Sequence, residues 1–231
     1  MSADGTFKQH ITNTCQSARN MCSWILRTFQ SRSPELMLTL WKSLVIPILD
    51  YCSQLWSPSK VGEIQQIEEI QKAFTRKIRS DSRDDYWERL QKSHLYSLER
   101  RRERYCIIYV WKILEGLVPN LTGRSQVMGR STIRLGRTCV VPPVVTAAKN
   151  RSQRLREGSF CVKGPMLFNS IPSHLRNMTG VSHVEFKKEL DKFLKTIADE
   201  PLMCGYTARR RAESNSLLHM IPVCIRTVAV S

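Results

Sequence analysis

The chain has 231 residues, of which 42% are hydrophobic and 24% are charged. These values are typical of globular proteins and exclude disorder over the whole length, and the length suits one larger domain or two small ones with a real core. The charge is unusual, because 36 lysines and arginines stand against 20 aspartates and glutamates, a formal net charge of +16. Such an excess favours polyanionic partners, most often nucleic acid or an anionic membrane surface.

Several classes of protein are not indicated by the sequence. No apolar run approaches the length that spans a bilayer, so we expect no membrane segment, and no signal-peptide pattern opens the chain. The eight cysteines include no Cys-x-x-Cys pair, which favours free thiols in an intracellular protein, with nucleus and cytoplasm both open. Phosphate-binding glycine loops and nucleophile elbows are also missing, so we expect no cofactor and no small-molecule substrate.

The first two predicted helices lie before residue 59. Residues 6–29 place apolar side chains at every third or fourth position, which predicts a helix. A second helix is expected to begin at Ser33-Pro34-Glu35, because serine is a good N-cap and proline is tolerated in the first turn. Pro47 should kink this helix and Pro58 should end it.

Three further helices are predicted before residue 118. One spans 61–78, with its acids early and its bases late, which suits the helix dipole. A short one is expected to begin at Asp84 or Asp85 and to end at Leu90. A longer one runs from Leu98 to Gly116, with apolar side chains inside, arginines outside and Gly116 as its C-terminal cap.

The second half of the chain has a different composition. Residues 118–138 are rich in Gly, Ser, Thr and Arg and predict a flexible basic loop. The β-prone stretches 138–145 and 158–162 predict a small hairpin. Helical structure is predicted again at the end of the chain, over 165–169, 173–177 and 182–197, with a partly ordered tail after Pro201.

Together these elements predict a mainly α fold. An N-terminal helical bundle is expected over 1–117. A basic, loop-rich α+β segment with a small hairpin follows over 118–200, and the tail covers 201–231.

Three motifs carry a resemblance to a known family. They are Ser43–Pro58, Ser97–Val118 and Gly164–Arg176, and their order and spacing resemble the region after the polymerase domain in reverse transcriptases of non-LTR retrotransposons. The relevant elements are LINEs of the jockey and chicken-repeat type. Asp4–Ile11 and Tyr86–Leu98 are similar to flanking segments of the same region. The resemblance implies a post-palm, thumb-like tail whose parent enzyme is an RNA-directed DNA polymerase.

The polymerase chemistry itself is not expected in this chain. Such enzymes hold two metal ions with aspartates, two of them adjacent, because in-line phosphoryl transfer requires both reacting oxygens to be clamped. The adjacent aspartates here, Asp84 and Asp85, precede a predicted helix, where acids cap and suit the dipole. We therefore expect a truncated relative with no catalytic residue and no bound metal. A zinc set of Cys204, His219 and Cys224 is not expected either, because its spacing is unsuitable.

The expected function is binding to the backbone of RNA or DNA, with an upstream polymerase polypeptide as a further partner. From Gly116 to Val184 there are ten bases and one acid, Glu157, which gives this window +9 of the +16. The predicted nucleic-acid-binding residues of the loops are Arg124, Arg130, Arg134, Arg137, Lys149, Arg151, Arg154 and Arg156. The second-ranked set is Arg100, Arg101, Arg102 and Arg104, for which a solvated helix face is the competing interpretation.

Two alternatives stay open from the sequence. The five tryptophans are able to stack on bases, although most fall on apolar stripes and are expected in the core. The second alternative for the whole chain is a helical protein-interaction module, or a retroelement relic without a selected function. A single sequence does not distinguish a basic excess that is merely inherited from one that serves nucleic-acid binding.

Overall fold

The computed structural model describes residues 7–58, 60–78, 85–120, 126–132, 136–142, 151–203 and 214–221, without the side chains of 151, 152 and 154. It confirms a mainly α fold with a small two-stranded antiparallel hairpin. The chain divides into two compact units, one formed by Met1–Arg102 with Asp199–Arg211, the other by Glu103–Ala198 with Ala212–Ser231. The composition of the sequence changes near residue 117, whereas this division falls after Arg102.

All the described secondary-structure elements of the first unit are helical. Its elements are α1 (Lys8–Thr28), α2 (Pro34–Leu40), a π-helical segment (Trp41–Val45), α3 (Ile46–Asp50), α4 (Ser53–Trp56), α5 (Val61–Ile78), α6 (Tyr86–Lys92) and the start of α7 (Leu98–Leu114). The predicted bounds of α1, α5 and α7 agree with these within a few residues.

The core of the first unit lies between α1, α5 and the segment that contains Trp41. Ile11, Cys15 and Ile25 of the predicted α1 stripe are buried there. The Trp41 and Phe74 rings stack with centroids 4.9 Å apart and an interplanar angle of 27°. Offset stacking of two large rings contributes on the order of 1 kcal/mol beyond the burial of their surface.

Side chains close the end of α1 and the start of α2. The Arg32 guanidinium donates to the carbonyl oxygens of Leu26 and Phe29, which have no partner within the helix. The Ser33 hydroxyl accepts a hydrogen bond from the Leu36 N–H at 3.4 Å, which confirms the predicted N-cap. 

The backbone adjusts just before Pro47, where a kink was predicted, but the helix ends at Asp50 and not near Pro58. The five residues Trp41–Val45 adopt π-helical geometry, and α3 continues from Ile46. A proline lacks an N–H and its ring crowds the carbonyl four residues earlier, so widening the preceding turn removes the conflict.

Buried polar groups hold the N-terminus of α7. Glu68 of α5 accepts hydrogen bonds from the Leu98 N–H at 2.8 Å and from the Tyr86 hydroxyl. Asp199 accepts from both the N–H and the hydroxyl of Ser97, each at 2.7 Å. These bonds satisfy donors at the helix start that otherwise would be buried without partners.

The second unit contains the remainder of α7 and the hairpin. Its further elements are β1 (Gly129–Thr132), β2 (Gly136–Cys139), α8 (Arg151–Glu157), α9 (Phe160–Ser170), α10 (Ser173–Arg176), α11 (His183–Lys195) and a helical turn over 217–221. Gly116 caps the C-terminus of α7 as predicted: it has φ of +71°, and the Leu117 N–H donates to the Lys112 carbonyl at 2.9 Å.

The hairpin forms at a different place from the predicted one. β1 and β2 pair with Gly129 opposite Cys139 and Thr132 opposite Gly136, so part of the predicted loop is a strand. The predicted second strand is wrong, because 160–162 belong to α9. β2 is held from its other side by the Asn169 amide, which bonds the Cys139 N–H at 2.7 Å and the Cys139 carbonyl at 2.8 Å. This side chain occupies the position that a further strand would take.

The core of the second unit is formed around Trp111. Its ring stacks on Phe186 of α11 with centroids 4.5 Å apart, and its Nε1–H donates to the Met178 carbonyl at 2.8 Å. Gly164 lets α9 approach α7, because an added Cβ would lie 3.0 Å from Val110. The last helix is confirmed, with Ser182 as its cap. The apolar spacing of 182–197 also predicts Val184 on its inner face, but Val184 is exposed.

The described part of the tail, 214–221, is tied to the second unit. Glu103 accepts hydrogen bonds from the Ser216 hydroxyl at 2.6 Å and from the Leu217 N–H at 2.8 Å, and it pairs with the Lys163 ammonium at 3.2 Å. Leu217 is completely buried. This segment is therefore part of the folded unit.

Candidate nucleic-acid interface

The two described hairpin arginines have different roles. Arg130 lies on β1 opposite Thr138 and is exposed. Arg137 lies on β2, where its guanidinium pairs with Glu115 at 2.5 Å. The other Glu115 oxygen accepts from the Gly180 N–H at 2.9 Å. Arg137 therefore fixes the hairpin to its unit, and only Arg130 of this pair is presented to solvent.

The backbone around Arg137 is also held by side chains of the second unit. Its N–H donates to the Asn177 amide oxygen and its carbonyl accepts from Arg176, both at 2.8 Å. Two of the ten window bases, Arg137 and Arg176, are thus used to build the unit, and Lys163 is used in the same way through Glu103. 

The remaining window bases are described only in part. Arg156 of α8 is exposed. Arg151 and Arg154 lie on the same helix, without described side chains. The other three predicted residues, Arg124, Arg134 and Lys149, lie outside the described residues.

The arginines of α7 are not arranged as predicted. Arg100 and Arg102 are buried, so the expected outward orientation is wrong for both. Arg101 pairs with Asp50 at 2.6 Å. Arg104 donates to both carboxylate oxygens of Asp191 in α11, at 2.5 and 2.7 Å. Both carboxylate partners lie far from α7 in the sequence. The local sequence pattern around these arginines was therefore compatible with a solvated helix face. Burial and pairing make this set unsuited to tracking a phosphate backbone.

A second exposed basic surface was missed by the sequence analysis. The outward side of α1 contains no aspartate or glutamate, and the sequence has none between Gly5 and Pro34. This absence of acids is the signal that would have found it. We call this surface the α1 face; its exposed residues are Gln9, Asn13, Gln16, Ser17, Asn20, Trp24 and Arg27.

A shallow groove of about 230 Å³ lies beside the α1 face, between α1 and α5. Its apolar floor includes Leu26 and Phe74, and its rim carries Arg19 on α1 and Lys77 on α5. Burial raises the pKa of Cys22 in this groove to about 12, so its thiol stays protonated and is a poor nucleophile.

Four of the five tryptophans are core residues, as predicted. Trp41, Trp56, Trp87 and Trp111 are buried, whereas Trp24 has 46% of its surface exposed. Trp24 is therefore the one tryptophan of the five that is available for stacking on a base.

The described part of the chain holds no cluster suited to a metal ion. Within it, no three His, Cys, Asp or Glu side chains come together to hold a metal ion. Asp85 caps α6 in a capping box with Glu88, the role predicted for it, and Asp84 lies outside the described residues, as do Cys204 and Cys224. Burial raises the pKa of Cys139 to about 12. No described helix has the length and apolar character to cross a membrane.

Comparison with known proteins gives no relative of the chain. No protein-family model, no curated protein and no solved structure matches it. Its function is therefore inferred from its own residues, charges and contacts.

Proposed function

We propose that the chain is a non-catalytic nucleic-acid-binding module, derived from the region after the polymerase domain of a LINE-type reverse transcriptase. The observation that carries this proposal is the charge excess. With 36 bases and 20 acids, one-to-one ion pairing leaves 16 bases without a carboxylate. Internal pairs such as Arg137 with Glu115 use one base for each acid and do not change that number. A nucleic-acid backbone offers a dense row of counter-charges and gains affinity through counterion release.

The proposed contact surface is the basic window of the second unit. Arg130 is on a strand whose partner β2 is fixed through Asn169 and Asn177, so its backbone has little freedom to lose on binding. Arg156 adds an exposed base on α8. Contacts from such side chains go to phosphates and position a strand without reading its sequence.

The proposal assigns no reaction to the chain. The parent polymerases require clustered aspartates for two metal ions, and Asp85 instead caps a helix. The ligand is the backbone of RNA or DNA, and an upstream polymerase polypeptide is the proposed protein partner, in the nucleus or the cytoplasm. A primer-extension assay on the chain alone should give no product, and a metal-dependent product would overturn the non-catalytic assignment.

Binding can be measured by fluorescence anisotropy with a short labelled oligouridylate over a series of salt concentrations. Affinity should fall steeply with salt, with a logarithmic slope of about 0.7 for each phosphate contact. Glutamine replacement of the predicted loop bases other than Arg137 should weaken binding at least about tenfold and flatten this slope. The variant replaces Arg124, Arg130, Arg134, Lys149, Arg151, Arg154 and Arg156.

A matched control removes the same number of charges elsewhere. All its positions are exposed bases outside the window and outside α1, and they are Lys42, Lys60, Arg76, Lys92, Lys188, Lys192 and Lys195. This control should retain most of the affinity. Equal losses in the two variants would show that charge alone matters and that the window is not a site. Absent or salt-independent binding by the native chain contradicts the proposed function itself.

A further inference from the structure

We infer that the α1 face binds unpaired bases of a single-stranded nucleic acid, with Trp24 as the stacking platform and Arg27 as a backbone contact. This inference rests on the proposed function and specifies the ligand further. It adds a second contact surface, in the first unit, to the basic window of the second unit.

The first support is the position of Trp24. A tryptophan usually buries most of its large apolar surface, and the other four in this chain do so. Trp24 instead leaves 46% of its surface in water on the outward side of α1. Phe29 contacts its ring edge-on, with centroids 6.1 Å apart and an interplanar angle of 82°. The indole is thus held in place and still accessible.

The second support is the chemistry around that ring. Asn20 precedes Trp24 by one helical turn and Arg27 follows it by one turn, so all three share a face. The amides of this face pair with each other, as in the 2.9 Å bond from Gln16 to Asn20, and amides of this kind offer both donors and acceptors to base edges and phosphates. 

The third support is charge complementarity. α1 carries Lys8, Arg19 and Arg27 and no acid, so nothing on this helix repels a polyanion. Arg19 and Lys77 on the rim of the neighbouring groove add positive charge beside the face. The one acid that lines the groove, Glu69, is paired with Lys72 at 3.3 Å.

The combination favours a single strand over a duplex. Every base has a π-face that stacks on an aromatic side chain, but in a duplex neighbouring base pairs cover those faces. An acidic peptide would satisfy the charges, yet it offers no regular series of planar rings to an indole. A single strand is therefore the proposed ligand, and Trp24-dependent binding of an acidic peptide would contradict it.

The experiment compares two probes of equal length, oligouridylate and the corresponding abasic ribose-phosphate oligomer. Trp24→Leu should weaken oligouridylate binding by about tenfold or more, since stacking on one aromatic side chain has this magnitude. The same variant should bind the abasic oligomer as the native chain does. Trp24→Phe keeps a ring and should stay within about threefold of native affinity for oligouridylate. Trp24→Gln provides a second ring-free variant.

Three controls separate stacking from charge. Tyr51→Leu removes another exposed ring, 74% accessible, beside the acidic Asp50, and should change neither affinity. Arg27→Gln should weaken the binding of both probes and lower the salt slope by about 0.7. Tryptophan fluorescence of the native chain should be quenched by oligouridylate and not by the abasic oligomer.

The outcomes distinguish the two proposals. Native affinity for oligouridylate in both ring-free variants, without quenching, overturns the α1 inference and leaves the basic window intact. Trp24-dependent binding of a polyglutamate of similar length also overturns it. If the native chain binds neither nucleic-acid probe, the proposed function fails as a whole.

Discussion

The carboxylate of Glu68 accepts a hydrogen bond from the Tyr86 hydroxyl at 2.5 Å, and both side chains are completely buried. Burial raises the pKa of Glu68 to about 7, with a further increase from nearby Asp199. The bonds from Tyr86 and Leu98 and the charge of Arg102 act in the opposite direction. Burial, followed by the charge of Glu68, also raises the pKa of Tyr86, so its phenol stays protonated and remains a donor.

This environment predicts that the chain loses stability as the pH rises through neutrality. The pKa of Glu68 in the folded state, about 7, lies above its ordinary value of 4.5. The folded state therefore favours the protonated carboxyl, and its contribution is complete below pH 4.5 and lost as the pH approaches and passes 7. The difference between the two pKa values limits the contribution of Glu68 to the free energy of unfolding to about 3 kcal/mol. 

The test is urea unfolding of the native chain and of Glu68→Gln across this pH range. The free energy of unfolding of the variant, relative to the native chain, should increase with pH, because glutamine cannot ionise. Glu69→Gln is the matched control, since Glu69 is the exposed neighbour in the same helix. A relative stability of Glu68→Gln that does not change with pH contradicts the prediction.

A second prediction concerns the ion pair of Arg104 and Asp191. Two parallel bonds, at 2.5 and 2.7 Å, join partly buried side chains, so a double-mutant cycle with Arg104→Gln and Asp191→Asn should give a coupling free energy of about 1–2 kcal/mol. The exposed pair of Lys192 and Glu189, in the same helix, should give about 0.5 kcal/mol or less. Equal couplings would show that the bidentate geometry contributes nothing.

Two glycines in open surroundings should respond in opposite directions to alanine. Gly116 has φ of +71° and Gly62 lies in α5, and neither has an atom within 4 Å of an added Cβ. Gly116→Ala should lower the free energy of unfolding by about 1 kcal/mol through backbone strain alone. Gly62→Ala should raise it by about 0.5–1 kcal/mol because alanine favours helix. Thermal unfolding of both variants tests the pair; changes of the same sign would refute it.

The segment 214–221 should contribute measurably to stability. Leu217→Ala should lower the free energy of unfolding by about 2–4 kcal/mol, because the side chain is completely buried. Leu218→Ala, next to it and partly exposed, should cost about 1 kcal/mol or less. Denaturant unfolding compares the two. A Leu217→Ala variant as stable as the native chain would mean that this segment does not pack as described.

Local patterns predicted the helices well where their reasons are local. The bounds of α5 follow from a stripe at helical spacing with acids at one end and bases at the other, and Ser33 and Asp85 act as caps through groups only two or three residues away. The π-helical segment before Pro47 is a local response to a missing N–H, which predicts a disturbance but not its form.

Long-range partners account for the errors. Arg101 and Arg104 pair with Asp50 and Asp191, whose positions relative to α7 no local pattern reveals. The hairpin was misplaced because valine-rich stretches have high β-propensity, while the observed register is supported by the distant Asn169. Apolar spacing predicted most tryptophans in the core but did not single out Trp24, whose distinguishing signal is the absence of acids around it.

The hydrogen bonds from Ser97 to Asp199 and from Ser216 to Glu103 have a consequence for biosynthesis. Each unit includes residues from beyond position 198, so neither can be completed while the ribosome is still translating the middle of the chain. Until those late segments are made, the Ser97 donors and the Glu103 carboxylate are solvated. Contacts of such long sequence separation slow folding, because the intervening loop has to close before they form.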